Sequence, residues 1–203
     1  MGIDFIFNIV ILILSVVVHE VSHGYAAYIQ GDPTAHYQGR LSANPLKHLD
    51  PVGSFLVPFV SYILGGFIIG WAKPVPYNPY NLRNRRWGEA LVAAAGPAAN
   101  LIIAIIFSLI IRFGLGSLPE SFVHIASVVV FINILLAFFN LMPIPPLDGS
   151  KILFSIIPQG LNMVRSFLER NSLIFIVIFI FLLWRFLVPV VVLLFSLMTG
   201  LNF

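Results

Sequence analysis

Residues 4–29 read DFIFNIVILILSVVVHEVSHGYAAYI, and this stretch decides what kind of fold the chain can adopt. It is predominantly apolar apart from one internal cluster, which is His19-Glu20-Val21-Ser22-His23. A helix needs about 20 mostly apolar residues to cross the hydrocarbon core of a bilayer. We therefore predict a membrane-spanning helix that carries ionisable side chains in its interior.

The composition of the whole chain is that of a membrane protein. Of its 203 residues 59% are apolar and 9% are charged, whereas a soluble domain carries about 25% charged residues. The net charge of +3 comes from a few residues between the apolar runs, which argues against nucleic-acid binding. The absence of cysteine excludes disulfides and thiolate metal ligands. The further apolar runs cover residues 52–71, 88–113, 122–142 and 173–198.

The basic residues predict which side of the membrane each connecting segment faces. Lysine and arginine are concentrated in segments 30–51, 72–88 and 143–172, and basic loops stay on the cytoplasmic side. All three segments can lie on the cytoplasmic side only if run 52–71 enters and leaves the membrane on the same face. The helical part of this run is short for a span, which favours such a re-entrant segment. We predict an all-α polytopic membrane protein of five to six membrane segments, one of them re-entrant. The alternative is a plain second span at 52–71.

Breaks within two of the apolar runs add detail to this prediction. Glycines at 65–66 interrupt the second run, and residues 67–69 with Val75 are predicted to form a small membrane-associated extended element between the first and third spans. Such a segment must be buried in protein or face water, because lipid cannot satisfy its backbone. The last run, 173–198, fits either one kinked span or a hairpin of two.

The cluster at 19–23 points to zinc chemistry. His19 and His23 stand four residues apart, so a helix places both imidazoles on one face, where they can bind one zinc ion. Glu20 lies beside the first ligand and is placed to act as general base on a water molecule. Ionisable groups inside a membrane segment are costly and mark functional sites. The alternative is an interfacial cluster past the membrane edge, although apolar residues continue to position 29.

A catalytic zinc ion usually has three protein ligands, so one more ligand is required. Asp148 stands out because the proline-rich stretch 143–147 breaks the helix before it, and Gly149 permits an unusual backbone angle after it. An ordinary helix-capping aspartate is the alternative. The full set of candidates is Asp4, His36, His48, Asp50, Glu89, His124 and Asp148.

Three motifs together resemble the site-2 protease family of intramembrane zinc metalloproteases. They are HEVSH at 19–23, GPAAN at 96–100 and NLMPIPPLDG at 140–149, in the family's order. The resemblance implies that Asp148 is the third ligand of one Zn²⁺ per chain. It also implies an endopeptidase that cleaves a membrane-spanning or membrane-embedded protein or peptide in the bilayer, at a site facing the cytoplasm.

The resemblance covers about residues 5–155, which we take as the catalytic core of a single membrane domain, 1–203. Residues 156–203 are expected to add an interfacial helix and one or two spans. The chain leaves no room for a PDZ or other added domain, so we expect no regulation through one. This short form suggests a multi-pass protein of a bacterial or archaeal plasma membrane.

Asn100 and Asn140 are polar residues within apolar spans. The functional interpretation is that they hold the substrate backbone or polarise the scissile carbonyl, and the resemblance favours this more for Asn140 than for Asn100. The alternative is ordinary hydrogen bonding between helices. Nearby Gly96 is expected to allow close helix packing.

Two other functions are compatible with the same residues. A membrane metal-ion transporter could use the histidines and Asp148 to bind ions during transport. Transport needs a continuous polar path, however, and the spans offer few ionisable residues. A catalytically dead membrane-binding homologue is the second alternative, although the base and all three ligands are present. The sequence does not reveal the physiological substrate or the oligomeric state.

Overall fold

The computed structural model describes residues 2–56, 59–60, 63, 72–157, 162–179 and 184–201. The regular structure within these residues is helical and includes no β-strand, so the all-α prediction is confirmed for the described part of the chain. Short 3₁₀ turns at Pro45–His48 and Pro79–Asn81 and a π turn at Val52–Leu56 lie between the helices. The α-helices are α1 (Gly2–Ile29), α2 (Thr34–Tyr37), α3 (Gly88–Gly114), α4 (Glu120–Asn140), α5 (Asp148–Ile156), α6 (Asn162–Arg170), α7 (Ser172–Ile178) and α8 (Trp184–Thr199).

Three of these helices are long and apolar enough to cross a membrane. They are α1 from Ile6 onward, α3 and α4, while the apolar part of α8 at Arg185–Thr199 is shorter. Residues 67–69 of the predicted extended element and most of the re-entrant segment lie outside the described residues, whereas Val75, the other part of that element, is described and has no regular secondary structure. The junction at 180–183, which would tell one final span from two, also lies outside the described residues.

Helices α3, α4 and α8 share one apolar core. In α4, residues Val130 and Ile134 are fully buried one turn apart, and in α8 residues Val191 and Phe195 are buried at the same spacing. Residues four apart lie on one face of a helix, so each helix presents a continuous apolar stripe to the others. This packing fixes α3, which carries one wall of the site described below.

The outer faces of the long helices are also apolar. On α3, Ile102, Ile106 and Leu109 are about half exposed, and on α1 Ile6 and Leu14 are as well. Such large exposed apolar surfaces are unusual for a protein in water but match a lipid environment. Together with the three candidate spans, they identify an integral membrane protein.

Asp32 joins the end of α1 to the segment before α3. Its carboxylate is fully buried and accepts hydrogen bonds from the backbone N–H of Asn78 at 2.6 Å and from Nδ2 of Asn81 at 2.9 Å, as well as from Thr34. Burial opposes ionisation, but the hydrogen bonds from Thr34, Asn81 and Asn78 outweigh it and hold the pKa of Asp32 below its ordinary value. The carboxylate therefore anchors the segment from 78 to 81 beside α1.

Candidate metal centre

His19 and His23 occupy successive turns of α1 and face the interior of the protein. Both side chains are buried, and their ring centroids lie 4.6 Å apart with the rings nearly perpendicular. The third candidate ligand, Asp148, is the first residue of α5 and is also buried. The chain brings this carboxylate to α1 from 129 positions away in sequence.

The loop that delivers Asp148 depends on a close backbone approach. After α4 the prolines of 143–147, with a cis Pro145–Pro146 bond, turn the chain back before α5 begins. A Cβ atom at Gly149 would lie 2.1 Å from the carbonyl oxygen of Leu141, so no other residue fits there without a shift. The expectation of an unusual backbone angle at Gly149 was wrong, because its φ is not positive. Space, and not backbone freedom, requires the glycine.

The three side chains meet at distances that suit a tetrahedral metal ion. Oδ2 of Asp148 lies 3.1 Å from Nε2 of His19 and 3.1 Å from Nε2 of His23, and the potential ligand atoms all lie within 4.8 Å of one another. Two ligand atoms bound to zinc at about 2.0–2.2 Å and at tetrahedral angles are about 3.3 Å apart. Among the described residues, no other group of three or more such side chains has this geometry.

Hydrogen bonds on the far side of each ring orient the two imidazoles. Nδ1 of His23 donates to the carbonyl oxygen of Val92 at 2.7 Å, and Nδ1 of His19 lies 2.6 Å from Oδ1 of Asn100. Because both partners are oxygen acceptors, each Nδ1 is the donor of its hydrogen bond, and each Nε2 faces the carboxylate of Asp148. Two imidazoles oriented from behind in this way, with a carboxylate opposite them, form the arrangement typical of metal-ligating histidines.

Asn100, on α3, connects this centre to α4 and to an earlier turn of α1. Its side chain is fully buried, and its Nδ2 donates to the carbonyl oxygen of Ser15 at 3.2 Å and to Oδ1 of Asn133 at 2.8 Å. Asn133 in turn donates to the hydroxyl of Ser15 at 2.9 Å. The amide proposed from sequence to contact substrate is thus engaged with His19 and with this network.

Gly96 allows α3 to lie directly against the two imidazoles. A Cβ atom at this position would lie 2.5 Å from Nε2 of His23 and 2.7 Å from Cε1 of His19. A methyl group would therefore occupy the space where the ligand atoms converge. The close packing expected at Gly96 is accordingly a contact with the site itself.

Glu20 and Asn140 lie outside the group of potential ligand atoms. Oε2 of the half-buried Glu20 accepts a hydrogen bond from the backbone N–H of Val75 at 2.9 Å. Asn140, at the end of α4, is half-buried and donates from Nδ2 to the carbonyl oxygen of Leu136 at 3.0 Å. On the other side of the centre, Nζ of Lys151 lies 3.7 Å from Oδ1 of Asp148 and places a positive charge beside the carboxylate.

Sequence reasoning missed several contributors to the site, among them Ser15, Asn133 and Val75. Ser15 and Asn133 are polar residues inside apolar helices, so the sequence alone could have identified both as candidates. The contact of Val75 with Glu20 could not be predicted from the sequence, because it uses the backbone N–H of a residue 55 positions away. His48, one of the candidate ligands, is buried elsewhere and has its Nε2 2.8 Å from the carbonyl oxygen of Ser42.

Comparison with known proteins gives a consistent family relationship. The family model described as "Peptidase family M50" matches residues 7–117 and 116–184. "Putative zinc metalloprotease YwhC" of Bacillus subtilis (strain 168) is 37% identical over 180 residues, which are 85% of this chain and 79% of that protein. No solved structure matches the chain significantly.

Two further relatives carry similar names. "Putative zinc metalloprotease Rip2" of Mycolicibacterium smegmatis is 32% identical over 137 residues, covering 68% of this chain and 52% of the relative. "Putative zinc metalloprotease MJ0611" of Methanocaldococcus jannaschii is 30% identical over 158 residues, which are 72% of each chain. The present chain thus spans about half the length of the Rip2 protein and most of the other two relatives.

Proposed function

This chain belongs to peptidase family M50, and from that premise we propose that it is an intramembrane zinc endopeptidase acting on a membrane-spanning or membrane-embedded protein. The observation that carries the proposal is that His19 and His23, on a helix that can cross a bilayer, converge with Asp148 at the start of α5. Family membership favours a metalloprotease over the metal-ion transporter and the catalytically dead homologue. The contacts around the site support the roles proposed below for Glu20, Asn100 and Asn140.

The donor set fits one zinc ion. Two imidazole nitrogens and one carboxylate oxygen leave a fourth position of a tetrahedron open, which is the pattern of catalytic zinc sites. The family relatives named as zinc metalloproteases support the same metal. When bound, zinc acts as a Lewis acid towards a water molecule and the scissile carbonyl.

Glu20 is the proposed general base. Its carboxylate takes a proton from the attacking water and passes it to the leaving amine, so that one water is consumed and the peptide C–N bond is broken. One of its oxygens, Oε2, is held by Val75. The other oxygen is then available for the proton that moves.

The two asparagines take different proposed roles. Asn100 keeps the proton of His19 on Nδ1, so that Nε2 faces the metal position, and it is therefore a positioning residue. Asn140 remains the candidate for the substrate backbone or the developing oxyanion, because one N–H and the oxygen of its amide are not used by the bond to Leu136.

The direction of the three spans supports a site near the cytoplasmic face. The candidate ligands lie near the C-terminal end of α1, and Gly96 lies near the N-terminal end of α3. The end of α4 leads into the loop before Asp148. All three ends adjoin the basic segments 30–51, 72–88 and 143–172, which the positive-inside rule assigns to the cytoplasm.

Cysteine labelling tests this orientation, because the chain has no cysteine of its own. Single substitutions Tyr80→Cys and Ser117→Cys place a thiol at two exposed positions on opposite sides of the predicted membrane. A membrane-impermeant maleimide added to intact cells should label position 117 only, and inside-out vesicles should show the reverse. Labelling of both positions from one side would exclude the proposed topology.

The substrate span has to unwind before it is cleaved. A transmembrane helix uses its peptide groups in its own hydrogen bonds, so a scissile bond becomes accessible only where the helix is weak. We propose that the enzyme acts on spans that contain helix-breaking glycine or proline. Such spans can be compared directly with stable ones in a single assay.

The decisive experiment uses purified protein in liposomes with two tagged single-span reporters. One reporter has Gly-Pro in the middle of its span, and its matched control has Leu-Leu at the same place. The wild type should cleave the first reporter and spare the second, while Glu20→Gln should bind zinc at wild-type stoichiometry and cleave neither. Turnover by Glu20→Gln would refute the base, and cleavage of a soluble protein with both reporters intact would refute the intramembrane activity.

A further inference from the structure

We propose that the backbone N–H of Val75 positions the Glu20 carboxylate for proton transfer, and that Arg40 holds Val75 in place. The inference rests on the proposed function, in which Glu20 is the general base. It starts from the hydrogen bond of 2.9 Å between Val75 N and Glu20 Oε2, which joins α1 to the non-helical segment before α3.

The local sequence leaves one donor for this bond. Val75 stands between Pro74 and Pro76, and proline has no backbone N–H. Within this tripeptide only Val75 can therefore donate from its backbone, and its acceptor is Glu20. The prolines also restrict the backbone on both sides, which reduces the freedom of the donor itself.

The side chain of Val75 is seated against α1 one turn away from Glu20. A Cβ atom at Gly24 would lie 2.5 Å from Cδ2 of Leu41 and 2.8 Å from Cγ1 of Val75, so the missing side chain leaves a notch that these two side chains fill together. Gly24 and Glu20 are four residues apart and lie on the same face of the helix. Val75 is 5% exposed. This packing brings its N–H opposite the carboxylate.

Arg40 holds the segment from the other side. Its buried guanidinium donates to the carbonyl oxygens of Lys73 at 2.7 Å and Pro74 at 3.2 Å, and also to that of Lys47. The N–H of Lys73 donates to the carbonyl oxygen of His48 at 2.8 Å. A guanidinium presents several donors in a fixed plane, so one side chain joins the loop at Lys47 to residues 73–74, which directly precede Val75.

These contacts restrain a side chain that would otherwise sample several rotamers. A glutamate at the edge of a site has free rotation about its side-chain bonds, and small errors in the placement of a reacting group are costly in rate. With Oε2 bound to Val75, the second oxygen has a defined direction. Loss of the N–H should therefore lower kcat while KM and zinc content stay near their wild-type values.

The test compares Val75→Pro with Val75→Ala in the liposome assay. Both variants lose packing in the notch at Gly24, but only the proline removes the N–H, so the difference between them reports the hydrogen bond. We expect kcat of Val75→Pro to be about 10 to 100 times lower than that of Val75→Ala, at similar KM and with one zinc per chain in both. Equal kcat values in the two variants would overturn the inference.

Two further measurements keep the test decisive. If Val75→Pro does not fold, an ester analogue of Val75 that replaces only its N–H by oxygen takes its place, and an unchanged kcat then refutes the role. Arg40→Lys should lower kcat in the same direction, because an ammonium cannot reproduce the planar contacts; wild-type kcat would refute the part of Arg40. Activity of Glu20→Gln in the same assay would instead reject the proposed function on which the inference rests.

Discussion

Oδ1 of Asn100 lies 2.6 Å from Nδ1 of His19, and this hydrogen bond joins α3 to α1 directly behind the candidate metal centre. Since Asn100 is itself fixed by Ser15 and Asn133, the orientation of His19 depends on three helices. The centre is therefore sensitive to residues that would never touch the metal, and the first two predictions follow from this.

Replacement of Asn100 by leucine should weaken zinc binding about 10- to 100-fold, which is the usual effect of losing the partner behind a metal-ligating histidine. Leucine has a similar shape but offers no acceptor to His19. Asn133→Leu is the matched control, since Asn133 lies one hydrogen bond further away and should have the smaller effect. Zinc competition with a chelator measures both, and unchanged affinity in Asn100→Leu would contradict the prediction.

Gly96→Ala should abolish zinc binding and cleavage. The added methyl group would lie 2.5 Å from Nε2 of His23, where the metal is expected. Gly114→Ala on the same helix is the control, because its methyl group meets only the movable side chain of Leu118. The zinc content of both purified variants is the measurement. One zinc per chain in Gly96→Ala would contradict the prediction, because the site would then hold the metal together with the added methyl group.

Removal of zinc should destabilise the folded protein. A ligand present at a thousand times its dissociation constant stabilises the native state by about 4 kcal/mol. Thermal unfolding in detergent should therefore begin at a lower temperature after treatment with a chelator and recover on addition of zinc. Asp148→Ala should bind substoichiometric zinc and show little of this shift; a full response in that variant would remove Asp148 from the ligand set.

Asp32 predicts a dependence of stability on pH. The pKa of its carboxyl is lowered in the folded protein, so its contribution is present above the ordinary aspartate value of about 3.9 and is lost as the pH falls through the lower folded value. At neutral pH, Asp32→Asn should cost about 1–3 kcal/mol, because buried donors lose their charged acceptor.

Denaturation midpoints in detergent at pH 7 and near pH 3 test this prediction. The difference between wild type and Asp32→Asn should shrink at the lower pH, because the carboxyl of the unfolded chain is largely protonated below its ordinary pKa of about 3.9. Thr34→Ala, which removes one of the donors to Asp32, should cost less than Asp32→Asn at pH 7. A constant difference at both pH values would show that the charge of Asp32 has no part in stability.

Most of the helices could be predicted from local patterns. Long apolar runs must form helices in a membrane because the backbone has to satisfy its own hydrogen bonds there, and α1, α3 and α4 largely coincide with those runs. The pairing of His19 with His23 follows from the period of one helix. The predicted extended element at 67–69 lies outside the described residues and stays a prediction.

The contacts behind the ligands could not be predicted in this way. The sequence identified Asn100 as a polar residue in an apolar span, but it did not indicate which group the amide would contact. In the structure the amide oxygen accepts a hydrogen bond from His19. Gly96 predicted close helix packing, but the sequence did not show that the groups packed against it would be imidazoles. Such choices depend on the relative rotation of helices, which no local period specifies.

The sequence by itself determined that this chain is a helical membrane protein, and it predicted two imidazoles on one helix face as ligands of one metal ion. Residue spacing and the cost of charge in lipid are local properties, and they can be read without coordinates. Only the tertiary structure decided that Asp148 meets both rings at 3.1 Å, that Asn100 lies behind His19 and that Val75 lies beside Glu20. These contacts join residues 55 to 129 positions apart, and they exist only because the helices pack closely enough to bring them together.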